Sequence, residues 1–145
     1  MDGIKMSDCK FYVNEEARTV VCVIPNTSDM VIDYIWEHFQ WKDINVYESL
    51  EYGKFRNSIK MPNSFMGKAT CAVEDEWDED LGRIIAFSRA KDKCYKSFFK
   101  RANRVVQALD SRLGDMITVF NDFGTKLEAK KDALNKIIES RVQKE

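Results

Sequence analysis

From Phe98 onward, apolar residues recur at steps of three and four: Phe98, Ala102, Val105, Leu109, Leu113, Met116, Phe120, Phe123 and Leu127. That spacing puts every one of these side chains on a single stripe of a helix, close to a heptad seam. A helix from 79 to 123 would be about 65 Å long at about 1.5 Å per residue, whereas a compact domain of this size has a radius of gyration of about 15 Å. The helix must therefore break, with Ser111–Gly114 the favoured place, or project and pack against other subunits. A second break is better signalled. Gly124 suits a helix end, and Thr125 with Glu128 spells a capping box for a new helix over about 126–142. That last helix would carry Leu127, Leu134, Ile137 and Ile138 inward, with Arg141 and Lys144 suiting its C-terminal end.

The first half follows other periods. FYVNEEARTVVCVIP (11–25) holds two runs of β-branched and aromatic residues around a polar Asn14–Arg18 turn, with Pro25 as a stop, and predicts a β-hairpin. In TSDMVIDYIWEHFQW, one of Thr27, Ser28 and Asp29 can cap a helix whose Val31, Ile32, Ile35, Trp36 and Phe39 form one apolar face. Residues 42–63 read as loop with one or two short strands. SFMGKATCAV (64–73) alternates like a strand, Gly67 marking a bulge or a close approach. The expected fold class is α+β: a small N-terminal antiparallel β-sheet with one short helix, then a C-terminal long-helix hairpin. All of it forms a single domain over 1–145, mainly β over about 1–76 and helical over about 78–143.

Composition narrows the function classes. The chain is 44% hydrophobic, enough for a core, and 32% charged, yet its formal net charge is −1. Any electrostatic function must come from a local patch. No stretch approaches the roughly 18 apolar residues that span a bilayer, and the N-terminus has no apolar leader core, so a cytoplasmic protein with no membrane partner is expected. Cys9, Cys22, Cys71 and Cys94 are too irregularly spaced for a CxxC-type zinc site and are expected reduced, Cys22 and Cys71 inside strands.

The charge pattern is sharpest in EDEWDEDLGRIIAFSRAKDK (74–93), where a knot of acids gives way to bases. A calcium loop starting at Asp78 would put Gly82 at position 5, Arg83 at 6 and Arg89 at 12, where it needs an oxygen ligand, a glycine and a glutamate. No metal site is expected, and Asp78, Glu79 and Asp80 read as the acidic first turn of a helix. The bases Arg89, Lys93, Lys96 and Lys100 share one helix face, which Arg104 extends. The helix dipole favours cations only in its last turn, which leaves two readings: a solvated helix face, or an anion site among bases that otherwise repel. Phe87, Tyr95, Phe98 and Phe99 lie among them. His38, beside the apolar stripe of its helix, reads as a hydrogen-bonded structural histidine. No Walker loop, HExxH or GxSxG occurs, which favours a binding protein without cofactor over an enzyme.

Two stretches carry a resemblance. VNEEARTVVCVI (13–24) and GKATCAVEDEWDEDLGRIIAFSRA (67–90) resemble a pattern of small proteins encoded by phages of Gram-positive hosts. Its anchors here are Gly67, Ala69, Cys71, Asp75, Trp77, Asp78, Gly82, Ile85, Ala86, Arg89 and Ala90. Among such proteins the chain is similar to the Thoeris anti-defence family, sponges that sequester cyclic ADP-ribose-type signals of the host's TIR-domain immunity. The resemblance implies a non-enzymatic homo-oligomer, assembled through the C-terminal helices, that binds a cyclic ADP-ribose isomer or a cyclic oligonucleotide in the cytoplasm of the infected bacterium. No family motif matches beyond Ala90, so no pocket residue carries over there. A ligand with two phosphates would want cations, a stacking ring and an amide. Arg89, Lys93, Lys96, Lys100, Arg101 and Arg104 offer the charge, Trp77 or Phe87 the ring, and Asn103 the amide. The alternative expectation is a phage regulator binding a host protein or nucleic acid through the basic helix, and a metal-dependent nuclease comes third.

Overall fold

The structure is a computed structural model that describes residues 3–39 and 52–142. Its class is α+β. After a single 3-10 turn at Met6–Asp8 come strands β1 (Lys10–Asn14) and β2 (Thr19–Pro25), helices α1 (Met30–Phe39) and α2 (Tyr52–Ile59), strand β3 (Ser64–Thr70) and helix α3 (Glu79–Val142). The strands form one antiparallel sheet in the order β1-β2-β3. The chain parts into two compact units, residues 1–105 and 106–145, so the boundary falls within α3 rather than between the β half and the helical half.

The hairpin expected over 11–25 is present. Its polar turn is held by Asn14, whose Oδ1 accepts from the Ala17 N–H, and by Arg18, whose N–H donates to the Glu15 carbonyl and whose φ of 49° reverses the chain. Register then sorts the faces. Val20, Cys22 and Ile24 of β2 alternate inward, opposite Ala69, Gly67 and Phe65 of β3, while Tyr12 and Met66 stand exposed on the other face. Onto the inward face packs the first part of α3 at Ala86 and Ala90, which lie against Gly67, and further along Cys94 and Phe98 reach Met30 and Tyr34 of α1. Steps of four with small side chains let the helix lie close.

Gly67 is the point of closest approach. A Cβ there would lie 2.1 Å from the Ala86 carbonyl oxygen and 2.4 Å from the Ala90 nitrogen. Of the two roles open to Gly67, bulge or approach, it is the second. α1 supplies Val31, Ile32 and Ile35 to the core, as its stripe predicts; Trp36 is partly exposed, and the side chain of Phe39 lies outside the described residues. Thr27 is buried, but it does not cap α1 with its hydroxyl, which donates instead to the Pro62 carbonyl.

Three expectations are corrected. Residues 52–59, expected within a loop with one or two short strands, are helical: Ile59 is fully buried one turn beyond half-buried Phe55, and that single-sided burial has helical period. The rest of that expectation, residues 42–51, lies outside the described residues. The helical hairpin is instead one helix of 64 residues that runs through Ser111–Gly114 and Gly124. A glycine ends a helix by adopting positive φ, and no described glycine does so. The Thr125 hydroxyl donates back to the Asn121 carbonyl, a mid-helix bond that replaces the expected cap. Cys71 follows β3 rather than lying within it. The expected ending on Arg141 and Lys144 falls outside the described side chains.

Candidate functional site

The start of α3 is built by the acidic knot. Asp78 precedes the first helical residue, and its Oδ1 accepts from the Leu81 N–H at 2.9 Å; Glu79 and Asp80 fill the first turn. Among the described residues no group of three or more His, Cys, Asp or Glu is placed to hold a metal ion.

Between the end of β3 and this helix start lies a cavity of about 220 Å³. Val20, Ala69, Leu81, Gly82 and Ile85 give it apolar lining; Cys71 and the segment Asp75, Glu76, Trp77 and Asp78 complete the wall. Arg18 holds that wall in place. Its carbonyl accepts from the Cys71 N–H at 2.9 Å, and its guanidinium donates to Cys71 Sγ at 3.1 Å and to the Asp75 carbonyl. The small residues matter here too, since a Cβ on Gly82 would come within 2.8 Å of Val20 Cγ2.

Of the nine residues expected to bind a ligand, only Trp77 lines this cavity. The basic face of α3 has other partners. Arg89 donates to the Lys68 carbonyl at 2.7 Å and Lys93 to the Met66 carbonyl at 2.9 Å, both on β3, an edge strand of the sheet. Further along, Arg101 Nε donates to the Lys60 carbonyl and Arg104 to the Ser58 carbonyl, each at 2.7 Å, at the C-terminal end of α2. These four bases satisfy main-chain acceptors at a sheet edge and at a helix end, where carbonyls lack partners of their own. Lys96 pairs with Asp92 one turn earlier at 2.8 Å. Phe87 is overlain by the Lys91 ammonium, 5.5 Å from its ring centroid, which also approaches Tyr95. Lys100 and Asn103 are exposed. The structure does not bring the nine together: Trp77 lies at the cavity, Arg89 and Lys93 at the sheet edge, Arg101 and Arg104 at the end of α2, and the other four at none of these contacts.

His38 is held by its own helix, Nδ1 lying 3.0 Å from the Tyr34 carbonyl and the ring stacked on Tyr34. The described cysteines are all free thiols. Burial pushes Cys22 up to about 12 and Cys94 up to about 11, and raises Cys9 as well, so these sulfurs stay protonated and are poor nucleophiles near neutrality. Arg18 and the wall residues Asp75 and Glu76 are the site residues that periodicity missed. Cys71 and Asp75 were already anchors of the phage pattern, whereas nothing local to Arg18 signals its distant partners.

No protein-family model matches the chain, and neither a curated protein nor a solved structure matches it. No described helix is long and apolar enough to cross a membrane.

Proposed function

We propose that this is a phage-encoded, non-enzymatic protein that binds and sequesters a cyclic ADP-ribose-type or cyclic nucleotide immune signal in the infected host's cytoplasm, with the cavity at Trp77 receiving the base. One observation carries the reading. Seven of the eleven anchors of the phage pattern, Ala69, Cys71, Asp75, Trp77, Asp78, Gly82 and Ile85, line that single cavity. An indole together with Leu81 and Ile85 in the lining suits the face of a nucleobase. The carboxylates of Asp75 and Glu76 suit an exocyclic amine or ribose hydroxyls, both hydrogen-bond donors. Small-molecule sites run to about 300–1,000 Å³, so a cavity of about 220 Å³ takes a base or nucleoside rather than a whole dinucleotide. The same acids repel phosphate, whose place is outside the cavity.

The test is capture. The protein is incubated with TIR-generated signal, freed of unbound ligand and heat-denatured. Recovery of intact signal is the expected result; breakdown products would make the protein an enzyme, and no capture would overturn the reading. Loss of a base–aromatic stack is worth about 1–3 kcal/mol, so Trp77→Ala should weaken capture roughly 5- to 150-fold. Unchanged affinity in that variant would remove the base from this cavity. A salt-dependent shift of DNA or RNA would favour instead a regulator acting through the basic helix, although Arg89, Lys93, Arg101 and Arg104 already donate to main-chain carbonyls.

A further inference from the structure

The described residues of the second unit, 106–142, are all the later part of α3. Along it Val106, Leu113, Phe120, Leu127 and Leu134 stand seven residues apart, and Leu109, Met116, Phe123, Lys130 and Ile137 follow each of them by three. Those are the a and d positions of an uninterrupted heptad repeat. All nine apolar members are exposed, Phe120 at 68% and Phe123 at 64%. A strict repeat of seven is matched by another helix with the same repeat, and two glycines, at 114 and 124, make this segment a poor helix in isolation.

Charge decides the arrangement. A parallel pair in register would set Lys130 against the partner's Lys130 inside the seam and Lys126 against the partner's Lys131 on its flank. Reversing one helix lets a positions face d positions. One antiparallel register spans the whole stripe, with Val106 facing the partner's Ile137 and Phe120 facing the partner's Phe123. It places Lys130 on the partner's Leu113, where its methylene stem packs and the ammonium reaches water. On the flank, Asp110 meets the partner's Lys131, twice by symmetry, and Ile117 faces the partner's Gly124, a large side chain against none. Sliding by one heptad either way removes the Asp110 pair and brings Arg112 or Lys126 against a like charge.

We propose that residues 106–137 form an antiparallel coiled coil with the same segment of a second copy of this chain, in that register. The inference is independent of any ligand at the cavity. It is tested on the full chain by sedimentation equilibrium at physiological salt. The wild type should be a dimer. Asp110→Lys should weaken it by about 10-fold or more, since two attractive pairs become repulsive, and adding Lys131→Asp should restore it. The loss should shrink as salt rises. A monomeric wild type overturns the proposal. So does an indifferent Asp110→Lys, the result of a parallel pair in which this residue lies by the partner's Val105, and so does a double variant that stays weak.

Discussion

Gly67→Ala adds one methyl group to an edge strand and should be among the costliest single changes available in this chain. The added Cβ would meet the Ala86 carbonyl oxygen at 2.1 Å and the Ala90 nitrogen at 2.4 Å, where an ordinary contact begins at 3.4 Å. Both obstacles are main-chain atoms of a helix, so no side chain can rotate away. The helix must retreat by about 1 Å, and a gap of ~0.5–1 Å forfeits a quarter to a half of each dispersion contact along the interface. That interface holds Ala86 and Ala90, both with no exposed surface. Backbone strain contributes nothing to the difference, because no described glycine has positive φ. Overpacking of this kind costs about 3 kcal/mol, which corresponds to a fall in Tm of roughly 6–12 °C for a chain of this size. Urea unfolding followed by circular dichroism measures it. Gly82→Ala is the internal comparison: its obstacle is the side chain of Val20 at 2.8 Å, and a helical glycine gains ~1 kcal/mol on becoming alanine, so the net change should be small. Gly114→Ala meets nothing within 4 Å and should stabilise by about 0.5–1 kcal/mol. A Gly67→Ala protein within ~1 kcal/mol of wild type would refute the close-approach argument.

Two further outcomes follow from the same geometry. Charge reversal at Arg89 or Arg104 should lower thermal stability, because each leaves a main-chain carbonyl without its donor and sets a carboxylate beside it. The same reversal at Lys100 should leave Tm unchanged, so comparing the melting curves of the three variants separates structural from free cations. Raising the pH should weaken the fold through Cys22 and Cys94. Both thiols lie above the ordinary 9.0 when folded, at about 12 and about 11, so the unfolded chain releases their protons first. Their contribution is complete below about pH 9 and is lost as pH climbs through 11 to 12, at up to about 1.4 kcal/mol per unit for each thiol. Denaturation midpoints across pH 8–11 should be level and then fall; midpoints that stay level to pH 11 would mean that these thiols ionise as easily folded as unfolded.

What could be read from the sequence was what is encoded within a few residues. Alternation and β-branching located both strands of the hairpin, and Asp78 with Glu79 and Asp80 announced the start of the long helix. Steps of three and four located the stripe of α3, and Gly67 marked a place where something must come close. The same local logic misplaced the helix breaks, because a glycine permits an end without requiring one, and the heptads continue past Gly114 and Gly124, apolar at every a and d position but Lys130. It also placed residues 52–59 within a loop with one or two short strands, since eight residues hold too few periods to reveal a helix.

The basic face shows where local information stops. Arg89 and Arg104 look alike in the chain, as exposed cations of one helix face. Their acceptors lie 21 and 46 residues away, at the edge of β3 and the end of α2, and no spacing within α3 could reveal them. The cavity is likewise a product of tertiary structure: Val20, Cys71, Trp77 and Ile85 come from four separate places in the chain, and only the docking of α3 on the sheet encloses the space among them. The sequence by itself determined the elements and their apolar faces, since hydrogen bonding and burial act there at short range. Only the folded chain decided which polar groups are used up in holding it together and which are left to meet a ligand, because an unpaired carbonyl exists only once a particular edge has been left open.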